Sequence, residues 1–287
     1  MQFPFQPLSP ATDEFTEELF RSITGMVEEY CGLHFDDDAR YILHKRVDKR
    51  MAALQMDSYR KYYYFLLYDP EGRAELDVLV ELLTTPETYF FREKPQLKAF
   101  SDELLPMLMQ RLAPTPRKTI RLWSAGCASG EEPYTIAMLV LEKRLPPGWK
   151  VEIFASDINR VLLQRARTGV YREHAFRTTE DGMREKYFER HDEKNWRVKD
   201  SVRQLISFGR VNLFDMARPL PFGMADVIFC RNVIIYFTKD GKRRVVEGFY
   251  EHMEEGGFLL LGHSESLLNI STRFKLLHLK NDMVYQK

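Results

Sequence analysis

Little in this chain marks a secreted, membrane-spanning or metal-dependent protein. Among 287 residues there are three cysteines, Cys31, Cys127 and Cys230. Their odd number and wide spacing exclude a disulfide framework and point to reduced thiols in a cytoplasm. No apolar run is long enough to span a bilayer, which excludes direct membrane insertion. The opening Met1-Gln-Phe-Pro-Phe-Gln6 lacks the basic-then-apolar pattern of a signal peptide. Seven histidines show no metal-ligand spacing and no His-Glu-x-x-His occurs, so no metal is expected. Neither charge dominates: 42 Lys and Arg face 42 Asp and Glu, which argues against a broad nucleic-acid footprint. Internal repeats and low-complexity tracts are absent from the sequence.

What is present suits one large or two modest domains. A hydrophobic fraction of 44% is enough for a real core. Residues 1–12 are proline-rich and read as irregular or as a docking arm. From Asp13 to about Leu83 the pattern is helical. Thr12 or Asp13 is placed to cap a first helix with Phe15, Leu19, Ile23 and Val27 on one face. In the next helix Leu43, Val47, Met51 and Leu54 form the apolar stripe, with Lys45, Arg46 and Lys49 opposite. Residues 1–95 hold 11 Lys/Arg and 18 Asp/Glu, a net of −7, yet residues 39–61 hold 7 against 2, a net of +5. A basic stretch in an acidic domain suggests a local acidic partner, although a solvated charged face reads the same way. Tyr62–Tyr68 reads as core and helix packing rather than a platform for bases.

Residues 96–118 read as a linker helix with Pro106, Pro114 and Pro116. An α/β domain follows over 119–287. Its strands are expected at 119–124, 151–156, 205–211, 225–231 and 257–262, with an antiparallel closing pair near 273–278 and 282–286. Residues 170–204 interrupt the alternation. Trp196 and Val198, then Val202, Gln204 and Ile206, alternate as in short strands, with Asp192-Glu-Lys-Asn195 as a turn.

The segment Arg121-Leu-Trp-Ser-Ala-Gly-Cys-Ala-Ser-Gly-Glu-Glu-Pro-Tyr134 carries the chemistry. An apolar run ends at Trp123, a small-residue loop spans Ser124–Gly130, and a helix is expected from Pro133. Strand, glycine loop and helix is how a doubly wound domain opens a cofactor site. The loop is neither GxGxxG nor a P-loop. Its Glu131 and Glu132 would repel phosphate but suit the ammonium of an amino acid. Downstream, Val151-Glu-Ile-Phe-Ala-Ser-Asp157 reads as a buried strand ending in an acid placed for ribose hydroxyls; Asp157 is equally placed to cap the next helix.

Seven segments then occur in one order: Glu87-Thr-Tyr-Phe-Phe-Arg-Glu93, Trp123-Ser-Ala-Gly126, Gly130-Glu-Glu-Pro-Tyr134, Phe154-Ala-Ser-Asp157, Val211-Asn-Leu213, Ile228–Phe237 and Gly262-His-Ser-Glu-Ser266. With these the chain resembles the CheR-type chemoreceptor glutamate methyltransferases, which use S-adenosylmethionine. One departure is Pro86, where the family often has Asn. The resemblance implies a helical N-terminal domain and a Rossmann-like class I methyltransferase domain. Its sheet has seven strands, and a small β-subdomain is inserted near 170–204. It implies cofactor contacts from Thr88, Arg92, Ala125, Glu131, Glu132, Asp157, Asn212, Leu213, Arg231 and Asn232. Glu132, with Glu131 beside it, is the expected ammonium ligand, and which of the two points inward stays open. Arg92 and Tyr236 are the expected catalytic residues, at the acceptor side.

The implied reaction moves a methyl group to a receptor glutamate, giving a γ-methyl ester and S-adenosylhomocysteine. A glutamate of pKa near ~4.3 is already ionised at neutral pH and needs no general base. The implied partner is the cytoplasmic helical region of transmembrane chemoreceptors, met by a monomer, with Lys45, Arg46 and Lys49 as the docking face. Two other functions fit less well: a methyltransferase for another substrate and a non-catalytic cofactor-binding adaptor. An Asp/Asn-Pro-Pro-Tyr motif of nucleic-acid amino methyltransferases is missing where Cys230-Arg-Asn-Val233 stands.

Overall fold

The computed structural model describes residues 14–84, 86–217 and 219–287. It divides into two compact units, Met1–Thr85 with Tyr236–Thr238, and Pro86–Ile235 with Lys239–Lys287. The division falls ahead of the Glu87–Glu93 motif rather than at residue 95, because Phe90 and Phe91 are buried in the core of the second unit.

The first unit holds four helices among the described residues, α1 (Glu17–Cys31), α2 (Arg40–Ala53), α3 (Tyr59–Tyr68) and α4 (Gly72–Leu83). Thr12 and Asp13 lie outside the described residues. The cap of α1 is Thr16, whose hydroxyl accepts from the Leu19 N–H at 3.2 Å. Gly32, left-handed at φ 81°, ends the helix. The i, i+4 stripes behave as expected. Leu19, Ile23 and Val27 of α1 and Leu43, Val47 and Met51 of α2 are buried, with Tyr62, Tyr63 and Leu66 of α3. A buried ion pair joins α2 to α4: Arg50 donates to both oxygens of Glu75 at 2.8 Å, and Tyr62 donates to the same carboxylate at 2.8 Å. Residues 236–238 belong to this unit through an antiparallel bridge from Leu33 to Phe237 and a His34 N–H bond to the Tyr236 carbonyl.

The second unit opens with α5 (Lys94–Ala99) and α6 (Leu105–Leu112), joined by a wider π turn at Phe100–Leu104. Its strands and helices then run β1 (Thr119–Ala125), α7 (Glu131–Glu142), β2 (Lys150–Asp157), α8 (Arg160–Thr168), β3 (Val170–Arg172), α9 (Asp181–Tyr187), β4 (Phe188–Arg190) and β5 (Asn195–Val198). They continue α10 (Asp200–Arg203), β6 (Ile206–Arg210), β7 (Ala225–Cys230), α11 (Lys239–Glu251), β8 (Met253–Leu261), β9 (Lys275–His278) and β10 (Met283–Gln286). The main sheet has seven strands in the order β6-β2-β1-β7-β8-β10-β9. Six run in one direction, five of them paired side by side from β6 to β8, and β10 enters antiparallel between β8 and β9. That is the class I methyltransferase order the resemblance implies. Central strands of a parallel sheet are covered on both faces: β7 is buried at every residue, whereas the edge strand β6 has none buried.

The insertion is a three-stranded sheet, β3-β5-β4. Asp192 builds its turn by accepting from the Lys194 and Asn195 N–H groups. The expected alternation stops at Val198. Val202 lies in the short α10 and Gln204 follows it, because Val202 is buried in the main core.

Candidate active site

Wherever the parallel strands end, a loop faces the crevice used by doubly wound folds. After β1 the chain turns through Gly126, left-handed at φ 82°, and its N–H and that of Cys127 both donate to the Ser156 carbonyl, at 2.8 and 2.9 Å. A Cβ on Gly126 would stand 2.5 Å from a Val233 methyl, so only glycine allows β1 and the loop after β7 to close this tightly. Helix α7 starts at Glu131, two residues before Pro133, which sits inside the first turn where N–H groups lack partners anyway. Cys127 is buried, which pushes its thiol pKa up and leaves it a packing residue rather than a nucleophile.

Asp157 ends β2. One oxygen accepts from the Ala128 N–H at 2.8 Å and the other from the Asn159 N–H at 2.9 Å. It does not cap α8; Asn159 does, accepting from Leu162 at 3.0 Å. Burial raises the Asp157 pKa against the lowering effect of these backbone donors. The bond to Ala128 also holds the loop tip, left-handed at φ 48°.

Glu131 and Glu132 part company. Glu131 is 4% exposed and accepts from the Ser129 hydroxyl, at 2.8 and 3.0 Å; burial drives its pKa up to about 7. Glu132 turns toward the strand ends. It accepts from Ser124 Oγ at 2.7 Å and from Arg231 Nη1 at 3.2 Å, and its side chain keeps 14% exposure. Burial raises its pKa and Arg231 opposes that shift.

Arg231 follows β7. Its Nη2 donates to the Arg92 carbonyl at 2.6 Å and to Glu93 at 3.0 Å. Burial works to raise the Glu93 pKa, but Arg231 and His263 together outweigh it and leave the carboxyl below its usual range. Arg92 itself is half-buried, and its Nη1 donates to the Glu87 carbonyl at 2.6 Å. Among the described residues no carboxylate pairs with Arg92; the Glu87 carboxylate pairs with Arg177 and that of Glu93 with Arg231. Thr88 is half-buried beside it.

Past Arg231, Asn232 is left-handed at φ 58°, and its Oδ1 is buried without a hydrogen-bond partner among the described residues. Asn212 follows β6 and caps a local turn, accepting from the Phe214 N–H at 3.0 Å, with Leu213 buried beside it. The structure therefore brings Ala125, Glu132, Arg92, Arg231 and Asn232 together through direct bonds or chain neighbours, and links Asp157 to the same loop. Glu131 faces the insertion instead, against Ser129, whose carbonyl accepts from Tyr171 at 2.6 Å. Tyr236 is 48% exposed and is grouped with the helical unit.

Sequence reasoning missed Glu265. Its carboxylate accepts from the N–H groups of Asn232, Val233, Ile235 and Gly262, at 2.8, 2.9, 3.2 and 2.6 Å. It is a staple for the loop after β7, and burial raises its pKa against those four donors. The available signal was an acid among small residues just past a strand, in Gly262-His-Ser-Glu-Ser266.

Family comparisons decide the identity. The all-α domain of the CheR methyltransferases matches residues 18–84, and their S-adenosylmethionine-binding domain matches residues 86–283. The chain belongs to the CheR methyltransferase family. It is 36% identical over 262 residues to chemotaxis protein methyltransferase 2 of Vibrio cholerae, covering 89% of this chain and 88% of that one. Its identity to the chemotaxis protein methyltransferase of Salmonella typhimurium is 33%, covering 90% and 86%. A probable chemotaxis protein methyltransferase of Rhizobium etli is 36% identical, covering 84% and 89%. The enzyme is thus a methyltransferase with an S-adenosylmethionine-binding domain. Its site fits that molecule: the buried Asn232 Oδ1 is an acceptor awaiting a donor, as an adenine amino group supplies, and Glu132 offers an anion to an ammonium group. No described helix is long and apolar enough to cross a membrane.

Proposed function

We propose that this enzyme methylates glutamate side chains on the cytoplasmic helices of chemoreceptors, forming γ-methyl esters. The observation that carries the reading is Arg92, a guanidinium at the strand-end crevice with no carboxylate partner among the described residues. A planar two-point donor of this kind holds and orients an acceptor carboxylate. It need not supply a base, because the acceptor is ionised at neutral pH. Too tight a grip would weaken the nucleophile, so the proposed task of Arg92 is alignment, with part of the guanidinium toward the cofactor's own carboxylate.

S-adenosylmethionine supplies an electrophilic methyl group when bound. Glu132 is the proposed ligand of its ammonium, since it keeps access to the crevice while Glu131 is turned into the packing beside Ser129. Asp157 is proposed for the ribose hydroxyls, Asn212 and Asn232 for the adenine edge and Leu213 for a ring face. Ala125 and Thr88 are proposed to line the approach, and Tyr236 to stand on the acceptor side. Pro86 offers no amide side chain, so that end of the motif binds through Thr88 and Arg92.

For docking we propose the exposed face of α2. Lys45 and Lys49 are exposed and Arg46 is half-buried; the α2 ion pairs among the described residues engage Arg40, His44 and Arg50 instead. Lys45 lies 4.3 Å over the Tyr41 ring, and Tyr41 and Ile42 are 65% and 53% exposed. Cations beside exposed apolar side chains suit an acidic amphipathic helix.

One assay tests the reading. The protein is incubated with methyl-labelled cofactor and receptor membranes, then with mild base. Label released as methanol is expected. Base-stable label would mean methylation of nitrogen, and no label with retained cofactor binding would mean an adaptor. For the cofactor site, Asp157→Ala should weaken S-adenosylhomocysteine binding by about 1–3 kcal/mol in calorimetry; unchanged affinity in a folded variant counts against the ribose role.

A further inference from the structure

We infer that the Arg231 side chain is a positioning residue that holds the Arg92 turn in shape, and not a direct contact to the cofactor. The inference deepens the reading above and rests on Arg92 as the orienting residue. It starts from the backbone. Phe91 and Glu93, on either side of Arg92, are both left-handed, at φ 57° and 59°. Neither is glycine, and such residues cost on the order of 1 kcal/mol or more each. They persist only where the surroundings over-determine them.

Most of that restraint is visible. Upstream, the Phe90 N–H donates to Ala175 at 2.9 Å and the Phe91 N–H to Thr135 Oγ1 at 3.2 Å, while the Phe90 carbonyl accepts from Thr178 at 2.8 Å. The Phe90 ring sits among Tyr171, Phe176 and Phe188, with centroids 4.8–5.3 Å away. Downstream, Gln96 ties α5 to the Leu261 carbonyl at 2.7 Å. Between these anchors the carbonyl of Arg92 itself is held by the Arg231 guanidinium, which also pairs with Glu93 and Glu132.

One guanidinium therefore fixes the backbone of the orienting residue and the side chain after it, whereas Glu132, reached at 3.2 Å, is also held by Ser124 Oγ at 2.7 Å and keeps that anchor without it. Its geometry demands arginine. A planar fork reaches three acceptors in different directions, whereas an ammonium is a point charge on a flexible stem. The Arg231 side chain is 3% exposed, and both of its terminal nitrogens are turned onto Glu132, Glu93 and the Arg92 carbonyl, while its Nε is enclosed and unpaired among the described residues. The cation also sits between two carboxylates that would otherwise repel each other.

The test is Arg231→Lys, which keeps the positive charge. The expected result is a fall in kcat of at least tenfold, a receptor KM near wild type, and a calorimetric Kd for S-adenosylhomocysteine within threefold of wild type. In an Arg92→Ala background the same substitution should change the residual rate less than twofold, because its effect passes through Arg92. A loss of cofactor affinity equal to the loss of kcat, or a further tenfold loss on top of Arg92→Ala, would overturn the inference, as would an unchanged kcat. Should the lysine protein not fold, Arg231→Gln with Glu93→Gln removes the guanidinium together with one of the two carboxylates it neutralises, leaves Glu132 on Ser124, and is read by the same criteria. Base-labile label formed by the wild type reports on carboxyl methylation separately. Failure of that reading shows in the wild type, and failure of the positioning role shows in the variants alone.

Discussion

The two ends of β7 carry buried charge clusters that are near mirror images. At its start, Asp226 is fully buried and accepts from Arg111 at 2.6 Å, from Arg117 at 2.7 and 2.8 Å, and from the Arg121 N–H at 2.9 Å. Just past its end, Arg231 donates to two carboxylates and one backbone carbonyl. One knot is an acid among two arginines and a main-chain donor; the other is an arginine among two acids and a main-chain acceptor. Their targets differ. Asp226 ties α6 and the start of β1 to the sheet, on the side away from the strand-end crevice, and so holds the fold. Arg231 grips Arg92, Glu93 and Glu132, and so holds the site. The same interaction can serve stability or catalysis, and only what lies at its far end tells which.

The comparison breaks most forcefully at Asp226. Asp226→Ala leaves two arginines without their buried partner, a change that costs about 3–5 kcal/mol. A denaturant titration should show that loss, while the fraction that remains folded binds S-adenosylhomocysteine as the wild type does. An altered affinity per folded molecule would mean that the two ends of β7 are not independent.

Arg92→Ala should give the opposite pattern. Unfolding should be unchanged, because among the described residues the side chain makes one hydrogen bond, to the Glu87 carbonyl, and a loose contact 5.6 Å over the Tyr89 ring. Ester formation should fall by about 10²-fold or more, the scale for removing a donor aimed at the reacting groups. Arg92→Lys should recover little of it. Near-normal turnover in the lysine variant would reduce Arg92 to a point charge.

The paired carboxylates of the glycine loop sharpen the contrast through pH. Glu131 is held neutral by burial up to about pH 7, above its ordinary value, so the folded state binds a proton that the unfolded chain has already released. A raised carboxyl pKa makes its contribution to stability full below the unfolded pKa and progressively lost up to the folded one. Glu131→Gln keeps a partner for Ser129 and cannot ionise. It should therefore raise the melting temperature relative to wild type at pH 8 and leave it unchanged near pH 4. The gain should be roughly 1–3 kcal/mol, at about 1.4 kcal/mol per decade of displaced ionisation. An equal effect at both pH values would mean packing, not charge, is the cause.

These cases also show what a sequence discloses. The strands of the sheet were legible because each is a short apolar run, and the loop from Ser124 to Gly130 because small residues between a strand and a helix have few other uses. The capping residue of α1 was misplaced by a few positions, since Thr12, Asp13 and Thr16 are chemically alike and only the structure says where the first turn begins. The knots were invisible. Asp226 stands in an apolar run whose partners lie more than a hundred residues away, as do those of Arg231 around residue 92. Glu265 was quoted as part of a motif, yet its work as a staple for four N–H groups depends on a loop that folds beside it from thirty residues upstream. Local pattern reports the element; pairing across the chain is what makes the site.

The smallest effect is expected where charge is least embedded. On α2 the buried Arg50–Glu75 pair belongs to the same class as Asp226, whereas Lys45 and Lys49 on the outer face are exposed and without ion pairs among the described residues. Arg46 is half-buried, with its Nε enclosed, so reversing it would disturb packing as well as charge. Lys45→Glu with Lys49→Glu is the cleaner reversal. It should leave stability within about 0.5 kcal/mol, as substitutions on open surface do. Cofactor affinity should not move. The receptor KM should rise severalfold at low ionic strength if this face meets an acidic helix, and added salt should remove most of the difference, since the Debye length is about 8 Å at physiological ionic strength. A KM that rises equally at all salt concentrations would point to a contact of shape rather than of charge. Normal methylation at low salt would leave the α2 face as solvated surface and move the search for the receptor contact to the three-stranded insertion.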